Sequence, residues 1–128
     1  MDAKIDERHL RFWRRRGANR RERADQAAAE ARADLGRITD LLVRKFGAKR
    51  IILYGSLARG HFAPGSDIDL AVEGVSKRDY FAALGAVNGI TERWVDLKPI
   101  EQLGPRFRHR VLMEGMEIYA AIDRERNP

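Results

Sequence analysis

The sequence predicts an α/β fold, in which helices pack against a β-sheet. Apolar residues recur at helical spacing across residues 19–46, whereas residues 67–72 alternate strictly between the two faces of a strand. A second alternation at residues 93–98 predicts another strand. The chain has 128 residues, of which 44% are hydrophobic, so it is long enough for one domain with a packed core.

The first predicted element is a helix over residues 19–46, a segment rich in Ala, Arg and Glu, which favour helices. Gly47 is expected to end it. At 1.5 Å per residue the helix would be about 42 Å long, more than the width of so small a domain. Its first half is therefore expected to project, either as a solvated extension or as a contact surface for a partner or a second copy. Its apolar face comprises Ala24, Ala28, Ala31, Leu35, Ile38, Leu42 and Phe46.

Residues 1–18 show a less regular pattern. Ile5, Leu10, Phe12 and Trp13 can form an apolar strip, and three consecutive arginines follow it. We predict a short docking helix or a frayed end. Contact with nucleic acid is the alternative, because exposed aromatic side chains beside arginines can stack on bases.

From residue 49 onward the elements alternate between strand and helix. Residues 51–54 are a short buried strand, residues 61–66 a loop, and residues 67–72 the alternating strand. A helix over residues 77–87 follows, and then the strand at 93–98. We expect the helix to turn four side chains toward the core, namely Tyr80, Phe81, Leu84 and Val87.

Two elements complete the predicted domain. Pro105 suits the first turn of a helix, where its missing N–H is no loss, and this helix is expected to bury Phe107, Val111 and Leu112. Residues 116–121 form a last short element, whose type the sequence leaves open.

Composition excludes several function classes. The chain has no cysteine, which rules out a disulfide framework, a cysteine nucleophile and a thiolate zinc site, and which fits a cytoplasmic protein. Its apolar runs are far shorter than a membrane span, so we expect no membrane association. The net charge of +6 is uneven, with +7 in residues 1–50 and −1 in residues 51–128. A basic segment of this kind can meet nucleic acid, an acidic protein or only water.

Asp67 and Asp69 carry the most specific chemical information. Residues i and i+2 of a strand share a face, so both carboxylates project together. Mg²⁺ prefers such oxygen ligands, and two ions about 3.5–4 Å apart can hold the attacking and leaving oxygens of a phosphoryl transfer. Asp96, on a separate strand, is the best candidate for a third ligand. The alternative is that the pair caps a turn and that Asp96 forms an ion pair with Lys98.

Gly55 and Ser56 directly follow a buried strand. Glycine permits close approach of the backbone, while the serine hydroxyl and the free N–H groups of the next turn suit a phosphate. An ordinary strand-to-helix turn is the alternative interpretation. The segment is not a Walker A loop, because His61 and Phe62 occupy the positions of the required Lys and Ser/Thr.

In combination, these residues resemble the minimal nucleotidyltransferase family of the DNA polymerase beta-like superfamily. The matching segments are GSLARG at residues 55–60, SDIDL at 66–70 and VDL at 95–97. The resemblance implies a polymerase-beta-like nucleotidyltransferase fold, with a mixed sheet flanked by helices, over roughly residues 35–121. It leaves residues 1–34 as a basic N-terminal helical extension with the long helix, and 122–128 as a C-terminal tail.

The resemblance also implies how metal ions are held. Asp67 and Asp69 would each contribute to binding two Mg²⁺ ions. Asp96 would bind the catalytic ion and help to deprotonate the acceptor hydroxyl. All three acids are therefore predicted to be catalytic as well as metal-binding.

A nucleoside triphosphate, ATP or another, is implied at the Gly-Ser turn. Gly55 and Ser56 would hold the triphosphate, with Ser66 of the second matching segment as a further nucleotide-binding candidate. Lys98 shares the face of Asp96, where it can contact phosphate or form a simple ion pair. Arg59 is interpreted as support for the loop.

Many small members of the family resemble the antitoxin of a two-protein system whose toxin is a HEPN-fold ribonuclease, and they transfer AMP to a tyrosine of that toxin. We therefore predict an Mg-dependent nucleotidyltransferase that moves a nucleoside monophosphate, AMP from ATP in particular, to a hydroxyl on a partner protein such as a HEPN toxin. Two alternatives stay open: docking to the partner without catalysis, and action on RNA as a nucleotidyltransferase or RNA-binding protein. The N-terminal helix can also support a homo-oligomer.

Overall fold

The computed structural model describes residues 6–121, so the predicted tail at 122–128 and Ile5 of the predicted apolar strip lie outside the described residues. The described part of the chain forms four strands, four α-helices and one 3₁₀ turn. In chain order these are α1 Glu7–Phe46, β1 Arg50–Tyr54, α2 Gly55–Arg59, β2 Ile68–Glu73, α3 Tyr80–Gly89, β3 Val95–Pro99, the 3₁₀ turn Ile100–Gln102, α4 Pro105–Glu114 and β4 Met116–Ala120.

The four strands form one mixed sheet in the order β3–β2–β1–β4. β1 runs antiparallel to both β2 and β4, whereas β2 and β3 are parallel and are joined through α3. The predicted α/β class, with a mixed sheet flanked by helices and a long N-terminal helix, is therefore confirmed. The last element, whose type the sequence left open, is a strand because it pairs with β1.

The sheet separates two apolar clusters. One face packs against α1 and α3 through Ile51, Leu53, Ile68, Leu70, Val72, Val95 and Leu97. The other face carries a smaller cluster of Ile52, Ala71, Ile100 and Val111, the last of which comes from α4. Because side chains alternate along a strand, Tyr54, Asp69 and Asp96 share this second face. The acids therefore lie on the face of α4, across the sheet from α1.

α1 spans 40 residues and begins at Glu7, which corrects the predicted start at residue 19. The short docking helix or frayed end predicted before it is instead a continuation of the same helix. Asp6 caps this helix by accepting a hydrogen bond from the backbone N–H of Arg8 at 3.1 Å, and the arginines that follow favour helix. At 1.5 Å per residue, α1 is about 60 Å long.

Only the second half of α1 contributes to the core. Its buried side chains are Ala27, Ala31, Ile38 and Leu42. Ala24 and Ala28, which were predicted on the same face, are only partly buried, and no residue from 6 to 26 is fully buried. The first half of the helix therefore projects from the domain. Long as α1 is, neither it nor another helix within residues 6–121 has the apolar stretch that a membrane crossing needs.

The shorter helices depart from prediction in which side chains they bury. α3 begins at Tyr80, because residues 76–79 form a hydrogen-bonded turn. Phe81, predicted to face the core, is 78% exposed, and the buried face consists of Ala83 and Val87, which are one helical turn apart.

α4 begins at Pro105, as predicted. Val111 is buried against the sheet and Phe107 packs beside it, but Leu112 is 40% exposed. Leu112 is one residue further on and so points about 100° away from Val111 around the helix. It therefore misses the face that meets the sheet.

Candidate active site

Three side chains of the second sheet face form a row across β1, β2 and β3. Tyr54 is the cross-strand partner of Asp69, and Asp69 is the partner of Asp96. Neighbouring strands lie about 4.8 Å apart, so residues paired in this way are adjacent. The register thus brings Asp69 and Asp96 together. Asp67 lies exposed one residue before β2, near enough for its charge to act on Asp69.

Gly55 begins α2 and lies directly beneath Asp69. Its φ of +73° falls in the left-handed region that favours glycine. A Cβ atom at position 55 would overlap Oδ2 of Asp69 and would lie 3.0 Å from its Cγ. The site therefore needs glycine for two reasons, the backbone conformation and the close approach of the carboxylate.

The pKa of the Asp69 carboxyl lies above its ordinary value. Partial burial is the largest cause, and the negative charge of Asp96 adds to it, with a smaller contribution from Asp67. Lys98 and Arg59 oppose this shift through their positive charges. The acids therefore repel one another, and a bound cation would relieve that repulsion.

This electrostatic cost predicts a pH-dependent stability difference for Asp69→Asn. Because the pKa of Asp69 is raised in the folded chain, the unfolded chain releases this proton first as the pH rises. As the pH rises from the pKa of Asp69 in the unfolded chain to its higher pKa in the folded chain, the free energy of unfolding falls. It stays lower at all higher pH values. Asp69→Asn removes this loss, so the variant should gain thermal stability relative to the wild type as the pH rises above about 4, the ordinary pKa of an aspartate. Thermal unfolding across this range checks it; Asp79→Asn, at an exposed acid before α3, should show no such gain.

Asp96 forms an ion pair with Lys98, with Nζ and Oδ2 2.5 Å apart and both side chains more than a third exposed. Of the two interpretations that the sequence left open for Lys98, the structure shows the ion pair. Within residues 6–121, no three acidic or histidine side chains are grouped closely enough to enclose a metal ion. Carboxylate oxygens are nevertheless the donors that Mg²⁺ prefers, and the raised pKa of Asp69 shows where a cation would be stabilising, so these acids fit a divalent ion.

The two candidate serines occupy different settings. Ser56 lies partly buried in the first turn of α2, next to Gly55. Ser66 closes the turn before β2, where its hydroxyl accepts a hydrogen bond from the N–H of Ala63 at 3.0 Å. The structure thus places Ser66 as a turn residue, and its hydroxyl proton can still be donated to a ligand. The side chain of His61 is exposed to solvent.

A small cavity beside the acids includes three residues that the sequence did not single out, Tyr54, Arg110 and Glu114. Its volume is about 190 Å³, and it is lined by Tyr54, Gly55, Arg59, Phe107, Arg110, Val111 and Glu114. The hydroxyl of Tyr54 is buried without a hydrogen-bond partner in the described part of the chain. Burial, followed by the charges of Asp96 and Asp69, raises the pKa of this phenol well above its usual range, so it keeps its proton. The signal in the sequence that could have identified Tyr54 is its position directly before Gly55 and Ser56.

Asn88 fixes the start of the strand that carries Asp96. Its amide nitrogen donates to the carbonyls of Leu84 and Val95, at 2.9 and 3.0 Å, and its side-chain oxygen accepts from the N–H of Val95 at 2.7 Å. These bonds hold the residue next to Asp96 against the end of α3. Sequence reasoning missed Asn88, because a polar residue near a helix end has no distinctive spacing.

Replacing Asn88 with Ala should lower the free energy of unfolding by about 3 kcal/mol, because it removes three hydrogen bonds that each contribute about 1 kcal/mol net. Urea denaturation measures the change. Gln102→Ala removes a comparable amide from an exposed site and should change stability little. Equal effects of the two substitutions would contradict the role given to Asn88.

Comparison with known proteins locates the chain in a family. A family model described as polymerase beta, nucleotidyltransferase matches residues 37–124. A solved structure assigned as a minimal nucleotidyltransferase is 33% identical, with coverage of 70% of this chain and 93% of that chain and a TM-score of 0.61. No curated protein sequence matches the chain.

Two further similarities, at lower identity, concern the fold. A toxin–antitoxin complex solved with AMP-PNP contains a chain that is 20% identical, with coverage of 66% of this chain and 73% of that one and a TM-score of 0.58. A complex of a tri-AMPylated HEPN toxin from Shewanella oneidensis with its MNT antitoxin contains a chain that is 18% identical. The similarity covers 70% of this chain and 72% of that one, with a TM-score of 0.57.

Proposed function

The chain belongs to the polymerase beta nucleotidyltransferase family, and from that premise we propose that it transfers AMP from ATP to a hydroxyl group of a partner protein. In this reaction the acceptor oxygen bonds to the α-phosphorus, the bond from that phosphorus to the bridging oxygen breaks, and pyrophosphate leaves. The observation that carries the proposal is the strand register that sets Asp69 beside Asp96, directly above Gly55.

The acids are assigned to metal binding and proton transfer. Asp67, Asp69 and Asp96 supply carboxylate oxygens as ligands, and two bound Mg²⁺ ions would neutralise charge on the phosphate oxygens. Asp96 also accepts the proton of the acceptor hydroxyl, which requires its carboxylate to leave the ion pair with Lys98.

The nucleotide is assigned to the side of the site that is formed by Gly55 and Ser56. Gly55 lets the triphosphate approach the backbone, and Ser56 and Ser66 donate hydroxyl protons to phosphate oxygens. Lys98, once released from Asp96, supplies a positive charge to the same oxygens. Each of these residues lies next to one of the three acids or in the turn that begins at Gly55.

A protein acceptor and ATP are supported by what the structurally similar proteins hold. One such complex contains AMP-PNP, and another contains an AMPylated HEPN toxin with its antitoxin. We assign the transfer to residues 35–121 and treat residues 1–34 as an extension outside the catalytic unit. A HEPN-type toxin is accordingly the acceptor that we propose.

Labelled nucleotide tests the proposal directly. The purified chain is incubated with Mg²⁺, a HEPN-type protein and ATP that carries the label on either the α- or the γ-phosphate. The α-label should appear on the HEPN-type protein, and the γ-label should not, because pyrophosphate leaves. The other three nucleoside triphosphates establish base preference. Label found only in ribonuclease-sensitive material would favour RNA as the acceptor, and no transfer to any acceptor would contradict the proposal.

Docking without catalysis is the second candidate, and the ion pair between Asp96 and Lys98 favours it. An acid that is already neutralised by a neighbouring lysine needs no metal ion. Co-expression with a HEPN-type toxin separates the two functions. If the Asp67→Asn/Asp69→Asn variant protects cells as well as the wild type does, docking alone is sufficient; loss of protection with retained binding supports catalysis.

A further inference from the structure

The whole net charge of the protein is located on the first part of α1. We call residues 7–23 the arm; it holds eight arginines and two glutamates, which gives +6. Outside the arm, the 17 basic and 17 acidic residues cancel. At 1.5 Å per residue the arm is about 25 Å long, so this charge is concentrated along a short rod.

The charges of the arm are largely uncompensated. Of its eight arginines, only Arg11 has an ion-pair partner among residues 6–121, and that pair, with Glu7 at 3.7 Å, is exposed. An exposed pair of this length contributes little. No residue of the arm is fully buried, so the arginines remain available to a ligand.

Two large aromatic side chains accompany the arginines. Phe12 and Trp13 are 56% and 58% exposed, and their rings meet edge to face with centroids 5.6 Å apart. The guanidinium of Arg16 lies 5.8 Å from the Trp13 ring. Phe12 lies in a shallow groove of about 490 Å³, which is lined by Arg8, Arg11, Phe12, Arg15, Arg16 and Asn19.

The pattern around Phe12 argues against a groove in a partner protein or a membrane. A helix that docks in an apolar groove needs apolar residues three, four and seven positions apart. At those spacings Phe12 has Arg8, His9, Arg15, Arg16 and Asn19, and Ile5 is the one apolar residue. Phe12 and Trp13 are themselves about 100° apart around the helix, so the arm lacks the broad apolar face that lies in a membrane surface.

A second copy of the chain is also disfavoured as the occupant. Two arms side by side would bring +6 against +6, and like charges at short distance repel. A polyanion with flat apolar faces satisfies both features of the arm, because arginines neutralise phosphates and aromatic rings stack on bases.

We propose that the arm binds single-stranded nucleic acid, with its groove arginines on the phosphates and with Phe12 and Trp13 stacked on bases. Duplex nucleic acid presents phosphates but no free base faces, so it would use only half of this surface. The inference does not depend on the proposed transfer reaction, because the arm lies outside the acid site and on the helix that packs across the sheet from it.

Fluorescence anisotropy of the 128-residue chain with labelled oligo-U and oligo-dT tests the charge component. Four groove arginines on four phosphates predict a log–log salt slope of about −2.8, which is about 50-fold weaker binding at about 200 mM than at about 50 mM salt. Arg11→Gln/Arg15→Gln should reduce the slope by about half. The matched control Lys77→Gln/Arg78→Gln, at two exposed cations outside the arm, should leave it unchanged.

The stacking component has its own variants. Phe12→Ala should weaken binding about tenfold, whereas Phe81→Ala, at an exposed aromatic on α3, should not. The chain has two tryptophans, so a Trp94→Phe background leaves Trp13 as the single reporter, whose fluorescence should be quenched by a single strand. Transfer activity of these variants should match the wild type, which separates this test from that of the proposed function.

The proposal would be overturned by any of three results. If Arg11→Gln/Arg15→Gln leaves oligonucleotide binding unchanged, the binding site lies elsewhere. Equal affinity for polyglutamate, with no effect of Phe12→Ala, shows a purely electrostatic surface for acidic proteins. Binding to vesicles of anionic lipid without binding to single strands shows a membrane contact.

Discussion

Replacing Asp67 and Asp69 together with Asn is expected to lower the rate of AMP transfer by about a thousandfold or more. The substitution keeps the shape of both side chains but removes two negative charges from the start of β2. Asparagine is a poor substitute for carboxylate as a ligand for a hard cation, so the charge on the phosphate oxygens would no longer be neutralised. Transfer of α-labelled ATP under single-turnover conditions measures the loss.

Asp79→Asn is the matched control for this prediction. Asp79 is exposed at the start of α3, and its side chain makes no cap hydrogen bond, so its replacement should leave transfer within about twofold. The double variant should remain folded, because it relieves the repulsion that raises the pKa of Asp69. A folded double variant with wild-type transfer would show that these carboxylates are not part of the reaction.

The sequence could predict which side chains share a face of the sheet, because the alternation of apolar and polar residues along a strand is a local property. The apolar residues of β2 and β3 determine that Asp69 and Asp96 lie away from the larger apolar cluster. Register is not local. A shift of two residues would keep every side chain on its face but would place Asp69 opposite Lys98, so the neighbours of Asp69 required the structure.

The rest of the site could not be predicted because it depends on contacts between distant elements. The pairing of Lys98 with Asp96 was one of two arrangements that the sequence allowed, and only the packed structure distinguishes them. Tyr54 looked like the end of a buried strand until its pairing with Asp69 placed its hydroxyl beside the acids. For α1, Asp6 was a usable cap signal, but Gly17 and the aromatic pair obscured the continuous helix.

Gly55→Ala is the second substitution for which a large effect is expected. A Cβ atom at this position meets the carboxylate of Asp69, and the φ of +73° costs alanine about 1–2 kcal/mol. Asp69 must move away, and a displacement of about 1 Å within a reacting site can lower a rate about a hundredfold. We therefore expect transfer to fall about a hundredfold, with a measurable loss of thermal stability.

Gly60→Ala separates the two causes, because position 60 shares the backbone conformation but not the contact. Its φ is +76°, and a Cβ atom there meets nothing within 4 Å. It should lose about the same 1–2 kcal/mol of stability while keeping most of its transfer activity. If both variants lose transfer equally, distortion of α2 explains the loss rather than the displacement of Asp69. If neither variant loses transfer activity, the reaction does not require the carboxylate of Asp69 to occupy its position next to Gly55.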